Sequence, residues 1–398
     1  MSDNAQIVRE KLDQAVAILN EQDVDAWMVF VHETSLAPDP SLPLILGADM
    51  VWLSAFIITR DNQRIAIIGK QDTEIVKAVG GYTQVIPYVE GIRDILAAAL
   101  TDLNPRSLAL NYSENDVAAD GLGHGMMLLL QRYLAGTGLP ERFISAERIV
   151  GALRGRKSPA EVARIRAAVA TTGRIFTQTG EFIAPGVSEV EVARQIHAYL
   201  KEHGLGVAWD KNGCPAISAG PDSPAGHGGP QEQYKATPGA VFHMDFGVME
   251  ANYCADLQRV WYIRKDANDT IPEALAKAHA AGRKALLAGF AALKPGVAGW
   301  EVDAAARQTL VAEGYPEYQH AFGHHIGRAA HDGATVLGPR WERYGQTPYG
   351  IIEAGNVFAI ELGIEVKGYG YIGLEEDVLV TDEGAVFLSE PQTAIWVI

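Results

Sequence analysis

The sequence predicts a two-domain α/β (α+β) protein whose second domain is internally duplicated, and three observations predict it. The chain has 398 residues, more than one hydrophobic core usually organises. Its first 150 residues mix helical periodicity with short β-rich runs. Beyond about residue 156, a segment at residues 185–204 recurs without a gap at residues 295–314.

The elements follow in order. Residues 5–20 carry a helical pattern, AWMVFV, VWLSAFIITR and RIAIIGK read as strands, and residues 91–101 and 121–134 are helix-like again. Together they predict a compact first domain over residues 1–155. In RGRKSPAEVARIR, Ser158 can cap a helix with Pro159 at its first position and Glu161 at its third, a capping box that opens a second domain over residues 156–398. There PGVSEVEVARQIHAYLKEHG matches PGVAGWEVDAAARQTLVAEG at seven positions, each copy a loop, a helix and a closing glycine. Binary patterning makes unrelated helices look alike, but ungapped identity favours duplication.

Composition excludes several classes. Hydrophobic residues make up 48% and charged residues 21%, with two cysteines, Cys214 and Cys254, so no disulfide framework exists and a reducing compartment is expected. A net charge of -16 repels phosphate backbones, and no basic cluster interleaved with aromatics overrides it, so nucleic acid is not an expected partner. No run approaches the roughly 20 apolar residues of a membrane span, and MSDNAQIVREKLDQAVAIL is charged and amphipathic. A cytoplasmic protein without membrane contact is expected.

A hairpin pattern follows each repeat and presents acids. AVFHMDFGV runs through a short connection into YCADLQRVWYI, and a two-residue loop at 250 and 251 would set Asp245 opposite Asp256. Such cross-strand neighbours have Cβ atoms about 4.5–5.5 Å apart, where two ionised carboxylates repel unless a cation lies between them. NVFAIELGIEV and YIGLEEDVLV repeat the arrangement. Pairing alone leaves room for Glu375 or Asp377 as the inward residue, while a Gly368-Tyr369 loop would place Glu376 opposite Glu361. A single acid on a strand usually points to water; four acids pairing twice across duplicated hairpins point to metal. HAFGHHIGRAAHD gathers four of the eleven histidines between residues 320 and 331. Carboxylates with one imidazole suit Mn, Co, Zn or Fe.

The segments DFG, YCADLQR, GHHIG, AAHD, IELG and LEED, in this order, resemble the pita-bread metallopeptidases: methionine aminopeptidase, aminopeptidase P and prolidase, with creatinase as a metal-free relative. The resemblance spans the second domain, and residues 1–150 resemble the creatinase-type N-terminal domain more loosely, which sets methionine aminopeptidase aside. It implies a pita-bread fold holding two divalent ions (Mn, Co or Zn). Asp245 would be the terminal ligand of one, Asp256 and Glu376 the bridging carboxylates, and His324 and Glu361 the ligands of the other, with none at His325. His227 and His331 match histidines that bind substrate and stabilise the reacting carbonyl. Prolidase is the nearest match: hydrolysis of Xaa-Pro dipeptides by a hydroxide between the ions, with Glu361 as general acid and base, in a homodimer acting on small peptides.

Two departures stand out. Where relatives have Glu-Pro-Gly, an aliphatic residue and Tyr, this chain has Glu361-Leu362-Gly363-Ile364-Glu365, and the Arg usually found two residues before the last ligand is Leu374. Fifteen residues between Glu361 and Glu376 resemble the short spacing of prolidases. Alternatives are an aminopeptidase for longer Xaa-Pro peptides, a creatinase-like amidinohydrolase, a metal-free binding module and an inactive metal-bound scaffold; a pocket for a free carboxylate would decide between dipeptidase and aminopeptidase, with Arg328 and Arg340 as candidates by proximity in sequence. Residues 32–52 read as a surface loop, and the resemblance allows Asp39, Asp49 and Trp52 to cap a partner's pocket.

Overall fold

The computed structural model describes residues 3–226 and 228–398. The chain divides into two compact units, Met1–Arg154 and Gly155–Ile398.

In the first unit a long helix α1 (Asp3–Glu21) precedes β1 (Ala26–Val31), the short α2 (Leu42–Ile45), β2 (Ser54–Thr59), β3 (Arg64–Gly69), α3 (Thr73–Val79), β4 (Gln84–Tyr88), α4 (Arg93–Leu103), β5 (Leu108–Leu110), α5 (His124–Tyr133), β6 (Phe143–Ser145) and α6 (Glu147–Gly155). The strands form one mixed sheet in the order β4-β3-β2-β1-β5-β6. β1, β2 and β3 are buried at every position, because helices cover both faces and the strands therefore read as continuous apolar runs. Trp27, Val29, Phe56 and Ile58 pack with α1 residues such as Leu12 and Ile18. Met28, Phe30, Ile57 and Ile67 pack with Leu96 and Leu100 of α4 and Leu130 of α5.

The loop between β1 and β2 departs from expectation. Asp39 is buried and accepts hydrogen bonds from Asn111 Nδ2 at 2.8 Å and Ser41 Oγ at 2.6 Å. It anchors its own domain and is withdrawn from any partner, since a buried carboxylate stays only where such donors satisfy it. Asp49 accepts from Thr34 Oγ1 at 2.9 Å.

The second unit opens with α7 (Pro159–Phe182) and α8 (Glu189–His203), followed by β7 (Gly206–Val207), β8 (Ala216–Ala219), β9 (Val241–Phe246), β10 (Val248–Glu250), β11 (Tyr253–Cys254) and β12 (Leu257–Tyr262). α9 (Glu273–Ala292) and α10 (Gly299–Ala312) come next, then β13 (Gly323–His325), β14 (Val357–Val366), β15 (Gly370–Thr381), β16 (Gly384–Phe387) and β17 (Trp396–Val397). The main sheet runs β13-β14-β15-β12-β9-β8, with β16 on β15 and β17 on β12, and a small sheet runs β11-β10-β7. Phe358, Ile360, Leu362 and Ile364 of β14 and Ile372, Leu374 and Val378 of β15 join Ala278, Ala285 and Leu286 of α9 in one core. The intervening residues of both strands face away from that core.

The repeat is visible in backbone bonding. Gly186 N donates to Ala236 O and Ala236 N to Val187 O; equivalently, Gly296 N donates to Ile352 O and Ile352 N to Val297 O. Both glycines have positive φ, 90° and 87°, a conformation glycine adopts without strain. At the start of α8 the box is complete: Ser188 N donates to Glu191 Oε2 at 2.8 Å and Glu191 N to Ser188 Oγ at 3.2 Å. At α10 only half survives, for Ala298 N donates to Glu301 Oε2 at 2.9 Å and alanine has no oxygen to return the bond. Ala298→Ser should therefore stabilise the protein by about 1 kcal/mol, read as a higher urea midpoint with an unchanged slope, and Ser188→Ala should lower it by a similar amount.

Candidate metal centre

Residues paired directly across a sheet point to the same side, and the pairing here assembles a row of polar side chains. Asp245 of β9 pairs with Gln258 of β12, Gln258 with Glu375 of β15, and Glu375 with Glu361 of β14. A second row runs beside it, since Asp377 pairs with Ala359 and Ala359 with His324 of β13. Asp256 sits where the ladder breaks between β11 and β12, and its backbone N donates to Asp377 Oδ2 at 3.1 Å.

Both hairpin registers differ from the sequence expectation, with unequal consequences. The first turns at Ala251 and Asn252, both with positive φ (49° and 64°), the signature of a type I′ turn. Asp245 thus pairs with Gln258 rather than Asp256, yet the shift moves the pairing by two residues and leaves Asp256 on the same side. The second connection has three residues, 367–369, with Val366 paired to Gly370. This one-residue slip exchanges the faces of β15: Glu375 stands opposite Glu361, and Glu376 lies on the opposite face.

Glu376 is thereby corrected as a metal ligand. Its Oε2 accepts from Arg259 Nη2 at 3.0 Å and Ser389 Oγ at 2.5 Å, and its Oε1 from Gln392 N at 3.0 Å. This buried ion pair supports β15 from behind, and burial raises the Glu376 pKa while Arg259 and these donors pull it down. With Glu375 as the inward residue, the position two before it is Gly373 rather than Leu374.

The other acids are not satisfied in this way. Asp245 Oδ1, Asp256 Oδ1, Glu375 Oε2 and Asp377 Oδ1 are buried without a hydrogen-bond partner. Burial, then the charge of Glu361, pushes Asp245 up to about 8. Burial raises Asp256, Glu375 and Asp377 well above the usual carboxylate range, with neighbouring carboxylates adding to the rise for Asp256 and Glu375. One ligand atom each from Asp256, His324 and Glu375 falls within 4.8 Å of the others, and His324 Nε2 lies 3.9 Å from Asp256 Oδ2. His324 Nδ1 is 3.1 Å from Ala330 O; as a carbonyl can only accept, Nδ1 carries the proton and Nε2 presents its lone pair to the acids. Burial and neighbouring His331 hold His324 neutral, down to about 3. Unpartnered buried carboxylates around a neutral imidazole fit a divalent cation.

Glu361 accepts from Gln258 Nε2 at 3.1 Å on Oε2, and its Oε1 lies 3.9 Å from His320 Nδ1. His331 is exposed and its ring meets His324 edge-on, centroids 4.3 Å apart. His325 faces the other way, against Phe358 at 4.1 Å. His227 lies outside the described residues; the loop around it is held by Glu189, which accepts from Ala219 N, Ser223 Oγ and Gln231 N at 3.0, 2.6 and 2.9 Å. Lys157 Nζ contacts Asp332 Oδ2 at 3.0 Å, anchoring the loop between His324 and His331. Sequence reasoning passed over Glu375, Gln258 and His320. For Glu375 the signal was available in the apolar alternation of Ile372, Leu374 and Val378.

The chain belongs to Metallopeptidase family M24, whose pattern matches residues 163–382. An uncharacterised peptidase of Staphylococcus aureus is 25% identical over 385 residues, covering 94% of this chain and 97% of the relative. Among solved structures, an Xaa-Pro dipeptidase from Bacillus anthracis superposes with TM-score 0.76 at 22% identity, covering 98% of this chain and 100% of the other. An X-Pro aminopeptidase from Thermotoga maritima gives 0.72 at 23%, with 97% and 99% covered. The second unit has the pita-bread fold of these peptidases, enzymes that use divalent metals and act on peptides. Among the described residues no helix is long and apolar enough to cross a membrane.

Two measurements test the centre. Glu375→Gln should lose bound Mn in elemental analysis, whereas Glu376→Gln should keep it and lower stability by roughly 3 kcal/mol, because Arg259 is left buried and uncompensated. In chelator-stripped protein, acids raised above their unfolded values contribute stability that is complete below about pH 4 and is lost as pH rises through about 8 for Asp245. The melting temperature of stripped protein should fall between pH 5 and 8, and Mn should remove that slope; a slope unchanged by Mn contradicts the site.

Proposed function

We propose that this protein is a dipeptidase for Xaa-Pro peptides and that two divalent ions are held by Asp245, Asp256, His324, Glu361 and Glu375. The observation carrying the metal reading is the convergence of Asp256, His324 and Glu375 beside buried carboxylate oxygens that lack a partner. When bound, the ions supply Lewis acidity to the scissile carbonyl and lower the pKa of a water toward neutrality.

The chain's own residues would do the rest. Glu361, with its side chain 24% accessible, is open enough to take the proton of the attacking water on Oε1 and return it to the leaving nitrogen. His331, exposed beside His324, is in position to donate a hydrogen bond to the developing oxyanion, with His227 as its second donor. As the C–N bond breaks, the transferred proton leaves proline as a neutral secondary amine. The fold neighbours named as Xaa-Pro dipeptidase and X-Pro aminopeptidase support proline as the leaving group, and the three-residue connection between β14 and β15 supports the dipeptide preference.

One observation favours a second reading, an aminopeptidase for longer Xaa-Pro peptides. Of the two arginines considered for a substrate carboxylate, Arg340 is stacked on an aromatic ring, and Arg328 lies over another with its Nη1 buried and without a hydrogen-bond partner. Arg328 lies over Tyr253 at 5.5 Å, whose hydroxyl donates to Glu161 at 3.1 Å, and Arg340 lies over Trp300 at 4.4 Å. Proline release from Ala-Pro and Ala-Pro-Ala, with Ala-Ala as control and Mn, Co or Zn added in turn to stripped protein, separates the two. Cleavage of Ala-Pro alone is the expected result; release of Ala with intact Pro-Ala moves the assignment to the aminopeptidase, and metal-bound protein that cleaves none of them removes both.

A further inference from the structure

Beside the acids lies a notch that the reaction as described does not use. Gly363 and Gly373 pair directly across β14 and β15, leaving no side chain on the face that carries Glu361 and Glu375. Neighbouring side chains fill the space. A β-carbon on Gly373 would collide with Gln258 Oε1 and His243 Nε2, and one on Gly363 with the Tyr371 hydroxyl. In the notch His243 Nε2 lies 2.8 Å from Gln258 Oε1, Gln258 Nε2 lies 3.1 Å from Glu361 Oε2, and the Tyr371 ring meets His243 edge-on at 5.0 Å.

The direction of this chain follows from its chemistry. An amide nitrogen only donates, so Gln258 Nε2 donates to Glu361; the Gln258 oxygen only accepts, which places the His243 proton on Nε2. Burial keeps His243 in that neutral form, down to about 4. Gln258 is also the one uncharged member of the row Asp245, Gln258, Glu375 and Glu361. An arginine or lysine there would neutralise the acids and compete with a metal ion, whereas an amide gives a hydrogen bond without a charge.

We propose that Gln258, anchored by His243 in the notch left by Gly363 and Gly373, is the positioning residue for Glu361. It occupies Oε2, fixes the plane of the carboxylate and leaves Oε1 for the ion and the proton. This rests on Glu361 as a metal ligand and proton carrier. Gln258→Leu and Gln258→Met remove the donor with little change in volume; Gly373→Ala keeps the amide but displaces it.

The test has two readouts besides turnover. In crystals of metal-free protein, wild-type Glu361 should hold one side-chain orientation and each variant should show it rotated or split. In Mn2+ titrations of stripped protein, each variant should raise the dissociation constant of one ion about 10-fold or more, the size expected when a group supporting a ligand is removed, and that of the other less than about twofold. Variants that leave Glu361 in place and titrate like wild type overturn the proposal. A wild type that binds Mn2+ yet fails to cleave Ala-Pro defeats the substrate reading alone, and the crystals and titration still decide this one.

Discussion

A cluster of buried carboxylates with unpartnered oxygens is the constraint on which the second unit depends. Asp245, Asp256, Glu375 and Asp377 each bury an oxygen without a partner, and removing such groups from water is unfavourable by several kcal/mol each unless a charge compensates. No single strand could hold them this way. They are kept together by a sheet whose other face, at β14 and β15, is sealed by α9, so the register of the strands and the positions of the acids are one property. The strain lies on one side of the sheet and the hydrophobic stabilisation on the other.

The two faces of β15 also divide the charges by task. Glu375 and Asp377 face the centre, each with one buried oxygen lacking a partner, while Glu376 between them is closed off by Arg259, Ser389 and Gln392. Three successive acids thus alternate between two environments, set by the pleat and by which side carries a guanidinium. The support extends further: Asp377 holds the backbone of Asp256, and Glu189 holds both arms of the loop that contains residue 227.

Much of this was legible in the sequence. The repeat, the capping box at Ser158 and the order of acids and histidines required only spacing and residue type, and they led to the family and its fold. The choice between Glu375 and Glu376 was missed because it rested on a guessed two-residue turn, when the apolar alternation of β15 was the stronger signal: Ile372, Leu374 and Val378 had to face one core, which turns Glu375 the other way. The first hairpin tolerated the same kind of error because its register moved by two. Gln258 and His243 were illegible, since each is unremarkable alone and they meet only across the gap opposite two glycines. Asp39 was misjudged because a polar, proline-rich segment gives no sign that one of its acids is buried.

The ion pair of Lys157 with Asp332 and the contacts of Glu376 with Ser389 and Gln392 each reach across the bounds of the stretch by which the family is recognised, residues 163–382. The block that carries the ligands is therefore shorter than the block that can hold them. A fragment cut to the recognisable boundaries would contain every proposed ligand yet leave Asp332 without its lysine beneath the histidine loop, and Glu376 behind the sheet with Arg259 but without Ser389 and Gln392. Recombination or design that treats the recognisable block as a portable module would move the chemistry without its footing.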